Sequence, residues 1–193
     1  MSPSLAYGEW NKTKINFIDT RGMANFLADA RAALRVADAA IVVVDAVSGV
    51  QVQTEKTWQA AEETGLPRLV VVNRLDRERA SLERTLQSIH GALSRAVVPV
   101  QLPIGEEKSF RGVVDLVALK AYVCLPDGSG KFSESPVPPE LTDQTAAARE
   151  ALIEMVAEND ESLMEKFFEA GTLTQEQLVA GLRSGTASGK VFP

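Results

Sequence analysis

The sequence predicts an α/β fold: a three-layer, doubly wound sheet that is incomplete and carries an inserted α+β subdomain. Three observations point to it. Two continuous β-branched runs, "AAIVVVDAV" and "RLVVVN", read as strands of a parallel sheet covered on both faces. Around them apolar residues recur at three- and four-residue steps, so strands and helices alternate as βαβ units with right-handed crossovers. After Ala96 the pattern turns to short strands and turns and then to helix formers, so a separate antiparallel element follows the first unit.

The elements follow in order. "LAYGEWNKTKINFID" holds two strand-like runs, Leu5 to Trp10 and Lys14 to Asp19, separated by Asn11 to Thr13 as in a hairpin. Apolar residues at Met23, Phe26, Leu27, Ala30, Ala33, Leu34 and Ala37 line one face of a helix. A second helix fits Val52 to Thr64, with Trp58 and Ala61 inward and Gly65 placed to end it. "RLVVVN" follows, then a third amphipathic helix from Arg77 to Leu93.

The segments "VVPVQLPIG", "FRGVVDLVALKAYV" and "KFSESPVP" read as strands of an antiparallel element, with a turn at Pro126 to Gly130. Helices are expected from about Leu141 to Glu158, from Glu161 to Ala170 and from Thr174 to Arg183, the last with Thr174 as N-cap and Gln177 three residues on. "SGTASGKVFP" reads as a flexible linker and the first residues of another strand. The expected division is a core over 1–95, an inserted subdomain over 96–172, and a helix and linker over 173–193 that return to the core.

Composition narrows the function classes. The 193 residues are 45% hydrophobic and 24% charged, ordinary values for a globular chain. The longest apolar run is broken by Asp45 and is too short to span a bilayer. "MSPSLAYGEW" lacks the charged start and apolar stretch of a secretory signal, so a cytoplasmic location is expected, with no membrane partner. A net charge of −6 argues against holding nucleic acid by broad phosphate neutralisation, and no sequence-specific nucleic-acid binding is expected. Cys124, the single cysteine, is expected to be a buried structural thiol, and His90, the single histidine, a partly exposed helix residue ahead of Gly91.

Ligands of open α/β sheets bind beyond the carboxyl ends of the strands. Three sequence positions lie there: "DTRG" at Asp19 to Gly22, Asp45, and "NRLD" at Asn73 to Asp76. "NRLD" supplies what guanine requires: an amide for the purine's imidazole edge, an aliphatic stem over the ring, and a carboxylate that accepts two protons. Adenine would leave that carboxylate unsatisfied, and such sites discriminate by roughly 10⁴. In "DTRG", Asp19 could hold magnesium through a water while the Gly22 amide, opening a helix, bonds a terminal phosphate. Each motif alone also describes a plain strand-to-helix turn. The two in this order, each straight after a strand, are far more specific.

With these motifs, and with "ALRVADAAIVVVDAVSGVQVQTEKTW", "VVPVQLPIGEEKSFRGVVDLVALKAY" and "DESLMEKFFE" in sequence, the chain resembles the GTP-binding domain of elongation factor G, of the translational GTPase family. The resemblance implies a P-loop-GTPase-like sheet, GTP or GDP with magnesium as ligands, and hydrolysis on the ribosome during translocation. Asp19 would hold magnesium through water, Gly22 would sense the terminal phosphate, and Asn73, Arg74 and Asp76 would hold the base. It also implies that the insert engages the ribosomal stalk proteins.

The sequence departs from the family pattern where it has Arg21 for a usual proline and Met23 for the histidine that positions the attacking water. A thioether cannot orient water as imidazole does, so Met23 marks a substituted catalytic position and a diverged paralogue. Arg74 replaces the usual lysine, a mild change. No G-x-x-x-x-G-K-[ST] occurs: Gly130-Lys131 runs into Phe132 and Gly189-Lys190 into Val191. The resemblance implies that the phosphate loop precedes residue 1 and that a final base motif follows Pro193. Truncation at both ends is therefore expected, and the chain alone is expected to be inactive. The alternative function is a non-enzymatic module whose insert binds ribosomal or other basic proteins. An unrelated doubly wound domain is a third.

Overall fold

The computed structural model describes residues 3–125 and 129–193. The chain begins with a hairpin, β1 (Ser4–Trp10) and β2 (Thr13–Asp19), paired antiparallel from Ser4 opposite Asp19 to Trp10 opposite Thr13. Its two-residue turn places Asn11 at φ 47° and Lys12 at φ 63°, the doubly left-handed geometry that matches strand twist. A 3₁₀ turn over Ala24–Phe26 then leads into α1 (Leu27–Leu34). This helix is shorter than the expected Met23 to Ala37, because the first positions of the apolar stripe are spent in the tighter turn.

The central element is a parallel pair, β3 (Ala40–Asp45) and β4 (Arg68–Asn73), joined through α2 (Val52–Glu63) and followed by α3 (Leu82–Ala92). Gly65, at φ 67°, closes α2 as expected. The third helix starts five residues later than expected, at the Ser81 N-cap, since 74–81 form a loop. On one face of the sheet Val44 packs with Trp58, Ile89, Val97 and Phe192. On the other face Ile41, Val43, Leu69 and Val71 remain exposed, so the expected coverage of both faces is met on one side.

Beyond Ala96 comes a four-stranded antiparallel sheet in sequential order: β5 (Gln101–Ile104), β6 (Gly112–Asp115), β7 (Lys120–Cys124) and β8 (Phe132–Ser135). "FRGVVDLVALKAYV" therefore splits into two strands. The Asp115 carboxylate accepts the amides of Val117 and Ala118, both at 2.8 Å, and folds the chain back. In the expected turn at Pro126 to Gly130, Pro126 to Gly128 lie outside the described residues. Cys124 ends β7 and is exposed, not buried, because the outer β7–β8 hairpin has no layer over its tip.

Three helices follow: α4 (Thr142–Ala157), α5 (Glu161–Ala170) and α6 (Gln175–Ala187). Asp160 caps α5 by accepting the amides of Ser162 and Leu163, and Thr174 and Gln177 close a capping box on α6. Leu152, Val156, Leu163 and Leu178 join Leu102 and Leu116 in a core shared by these helices and the antiparallel sheet. Among the described residues no helix is long and apolar enough to cross a membrane.

The expected flexible linker is largely ordered: Ser184 to Ala187 finish α6, and Val191 and Phe192 are buried. The expected extra strand exists in part. Phe192 bridges Val97 in parallel, and the Val70 amide donates to the Pro193 carbonyl at 2.8 Å, so residues 192–193 lie beside β4. Phe192 stacks edge-on against Trp58, centroids 4.9 Å apart, and the Arg68 guanidinium lies 4.3 Å from the Trp58 ring and 4.5 Å from that of Phe192. Burial pulls the pKa of Arg68 down, an effect partly countered by Glu62 at 3.7 Å.

Candidate functional site

Because β3 and β4 are parallel and in register, Asp45 and Asn73 stand opposite each other at the same carboxyl end of the sheet. Here the chain must leave two strands side by side, and the two loops bond to each other. The Ala46 amide donates to the Asn73 carbonyl at 2.9 Å, while the Ala46 carbonyl accepts the Ser81 amide at 3.1 Å and the Thr85 hydroxyl at 3.2 Å. The loop after β3 is pinned further where the Val50 amide donates to Ser88 Oγ at 3.0 Å. Gly49 sits at φ 66° with its missing Cβ only 2.9 Å from that hydroxyl, so no other residue fits easily.

Asp45 is the electrostatic centre of this end. One carboxylate oxygen accepts the amides of Val47 and Ser48 at 2.8 and 3.0 Å, and the other accepts Arg74 Nη1 at 2.9 Å. The Ser48 and Val47 amides, with a smaller contribution from Arg74, hold the Asp45 pKa below its ordinary value, against the opposing effect of burial. The structure thus gives a role to a residue that sequence had marked only as following a strand.

The 73–76 turn is built around backbone rarely seen outside glycine. Arg74 lies at φ 65°, and Asn73 Oδ1 accepts the Arg74 amide at 2.8 Å, so the Asn73 side chain steadies its own turn. Arg74 reaches sideways to Asp45. Asp76 is exposed and has no hydrogen-bond partner among the described residues. A carboxylate left free at a strand end, on a turn braced by its neighbours, is available to a ligand that offers paired donors.

Asp19, Gly22 and Met23 lie together at the end of β2. Asp19 is exposed, Gly22 has open space where a side chain would stand, and Met23 is 63% exposed at the head of the 3₁₀ turn. The neighbouring Arg21 lies 5.6 Å from the Phe26 ring. No hydrogen bond or ion pair among the described residues links this group to the 73–76 turn. Among the described residues no cluster of three His, Cys, Asp or Glu side chains could hold a metal alone. A single carboxylate suits magnesium, which keeps most of its waters and draws further ligands from phosphate oxygens.

His90 is exposed on α3, its Nε2 2.8 Å from the Val97 carbonyl, a structural contact away from these loops. A mostly apolar cleft of about 430 Å³, lined by Leu119, Thr145, Arg149, Ile153 and Phe167 among others, lies in the second unit and includes none of the motif residues. Sequence reasoning missed Glu106 and Glu107. Their carboxylates accept the amides of Leu82 and Arg79 at 2.8 and 2.9 Å, which joins the β5–β6 loop to the loop that follows Asn73.

Residues 2–181 match the family model for the elongation factor Tu GTP binding domain. The chain is also similar to a solved structure, a crystal structure of a protein from Thermus thermophilus, at 33% identity and a TM-score of 0.89. That match covers 100% of this chain and 28% of the Thermus chain, so these residues span little more than a quarter of the protein they resemble.

Proposed function

The chain belongs to the elongation factor Tu GTP-binding domain family, the translational GTPases, and from that premise we propose that it is the central part of the GTP-binding domain of an elongation-factor-G-like GTPase acting on the ribosome. Asp76, the free carboxylate on the braced 73–76 turn, carries the proposal. It would accept the two guanine donors, with the Arg74 stem over the ring and Asn73 holding the turn and facing the purine edge. Asp19 would hold magnesium through a water, and the Gly22 amide would meet the terminal phosphate. Met23 takes the place of the water-positioning group. The phosphate loop is not among these residues. Residues 1–95 would form part of the core, 96–172 the insert, and 173–193 the return.

A titration with fluorescent GDP tests this. Micromolar binding that ATP does not displace and that Asp76→Asn abolishes is the expected result. No binding up to millimolar nucleotide, or binding indifferent to Asp76→Asn, sinks the base-site assignment.

One observation favours a second function beside the first. Phe168 is 78% exposed on α5, next to Phe167 in the wall of the apolar cleft. This suits nucleotide-independent docking of the insert on a ribosomal or other basic protein. Absence of co-sedimentation with ribosomes at low salt, with and without nucleotide, would remove it.

A further inference from the structure

We infer that Glu107, on the first loop of the insert, is a positioning residue for guanine recognition, because it holds the turn that carries Asp76. The inference rests on the base-reading role proposed for Asp76. Its starting point is the sequence "IGEEKS", which leaves β5 and returns to β6 within seven residues.

The loop is tightly made. Gly105 lies at φ 77°, and a Cβ there would fall 2.3 Å from the Ser109 carbonyl oxygen, so only glycine allows the fold-back. Glu106 and Ser109 close it: the Ser109 hydroxyl donates to the Glu106 carbonyl at 2.6 Å and accepts the Glu106 amide at 3.2 Å. Glu107 is thereby pushed to φ 53°, a left-handed conformation that a glutamate rarely adopts. Strain of this kind persists only where surrounding contacts enforce it, and it is concentrated at functional places.

What Glu107 gains from that conformation is a double grip on the neighbouring loop. Its amide donates to the Leu75 carbonyl at 2.8 Å, and its carboxylate accepts the Arg79 amide at 2.9 Å. Glu106 adds a third bond by accepting the amide of Leu82, the first residue of α3. These anchors bracket Asp76 from both sides. Within the turn itself the backbone bonds are Arg77 to Arg74 and Ala80 to Arg77, both at 3.1 Å, and Arg79 is also left-handed at φ 67°. Asp76 makes no bond of its own among the described residues, so its direction is set by this backbone. A carboxylate that must meet two donors at once tolerates little displacement. The insert is thus part of the base site, though its sequence lies some thirty residues away.

The test compares GDP with inosine diphosphate, which lacks the exocyclic amine and offers Asp76 one donor where guanine offers two. Glu107→Gly removes the carboxylate, keeps the amide bond to Leu75 and suits the positive φ, so folding is not threatened. Glu107→Gln keeps an oxygen for the Arg79 amide. The expected result is that Glu107→Gly lowers the GDP preference about tenfold, the size of one lost hydrogen bond, and speeds hydrogen exchange at Arg79, while Glu107→Gln restores both. A preference unchanged in Glu107→Gly but abolished by Asp76→Asn overturns the role of Glu107 and leaves that of Asp76 standing. A preference indifferent to Asp76→Asn, or absent from the start, overturns both.

Discussion

At the scale of single residues the chemistry concentrates on carboxylates whose partners differ. Asp45 has three, and two of them are backbone amides that have no other acceptor in that loop. Its folded pKa lies below the ordinary 3.8, so the stability it contributes is present above that value and is lost as pH falls through the lowered folded pKa. Asp45→Ala should therefore cost about 1–3 kcal/mol in urea melts at pH 7, and the difference from the parent should shrink near pH 3. An equal difference at both pH values would show that the carboxylate charge is not what matters. Met23 presents the opposite case, an exposed apolar group where the family resemblance implies imidazole. In a longer protein that also supplies the phosphate loop, Met23→His should raise ribosome-stimulated GTP hydrolysis by about 10²-fold, the usual scale of a positioned proton-transferring group. Single-turnover assays that show no gain would remove residue 23 from the hydrolytic site.

Among the secondary elements, α6 shows how packing can overrule composition. Gly181, inside the expected helix, and Gly185, inside the expected linker "SGTASGKVFP", each weaken a helix by propensity. Yet a Cβ on Gly181 would lie 2.4 Å from Val156 Cγ1 and 2.6 Å from Leu163 Cδ1, so the glycine lets α6 approach α4 and α5. Gly181→Ala should lower stability by about 1–3 kcal/mol through overpacking, whereas a thermal melt unchanged or raised would mean that the helices separate at little cost. The same contrast separates what was legible from what was not. The α5 bounds are readable because Asp160 and Gly171 punctuate both ends. The hairpin, β3 and β4 follow from their runs, and Asp19, Gly22 and Asn73 to Asp76 stand out because they follow strands. Glu106 and Glu107 gave no local signal, since their meaning lies in a loop distant in sequence, and the 3₁₀ start of α1 is invisible to an apolar stripe that fits either helix.

On the scale of the whole molecule, the parallel sheet of β3 and β4 is packed on one face and open on the other. Ile41 and Val43 remain 58% and 56% exposed, and Leu69 and Val71 beside them 38% and 45%. A contiguous aliphatic patch of this kind promotes association. Val43→Lys with Val71→Lys should reduce self-association in sedimentation velocity while leaving the melting temperature nearly unchanged, and a parent chain that stays monomeric at tens of micromolar would defeat the expectation. The stack of Trp58, Arg68 and Phe192 has a consequence in time. Roughly 120 residues separate Arg68 from Phe192, and at about 5–20 residues per second their synthesis takes roughly 6–25 s. For that interval a nascent chain carries the Arg68 guanidinium and the Trp58 indole without their third partner, so this sandwich closes only after residue 192 has been made.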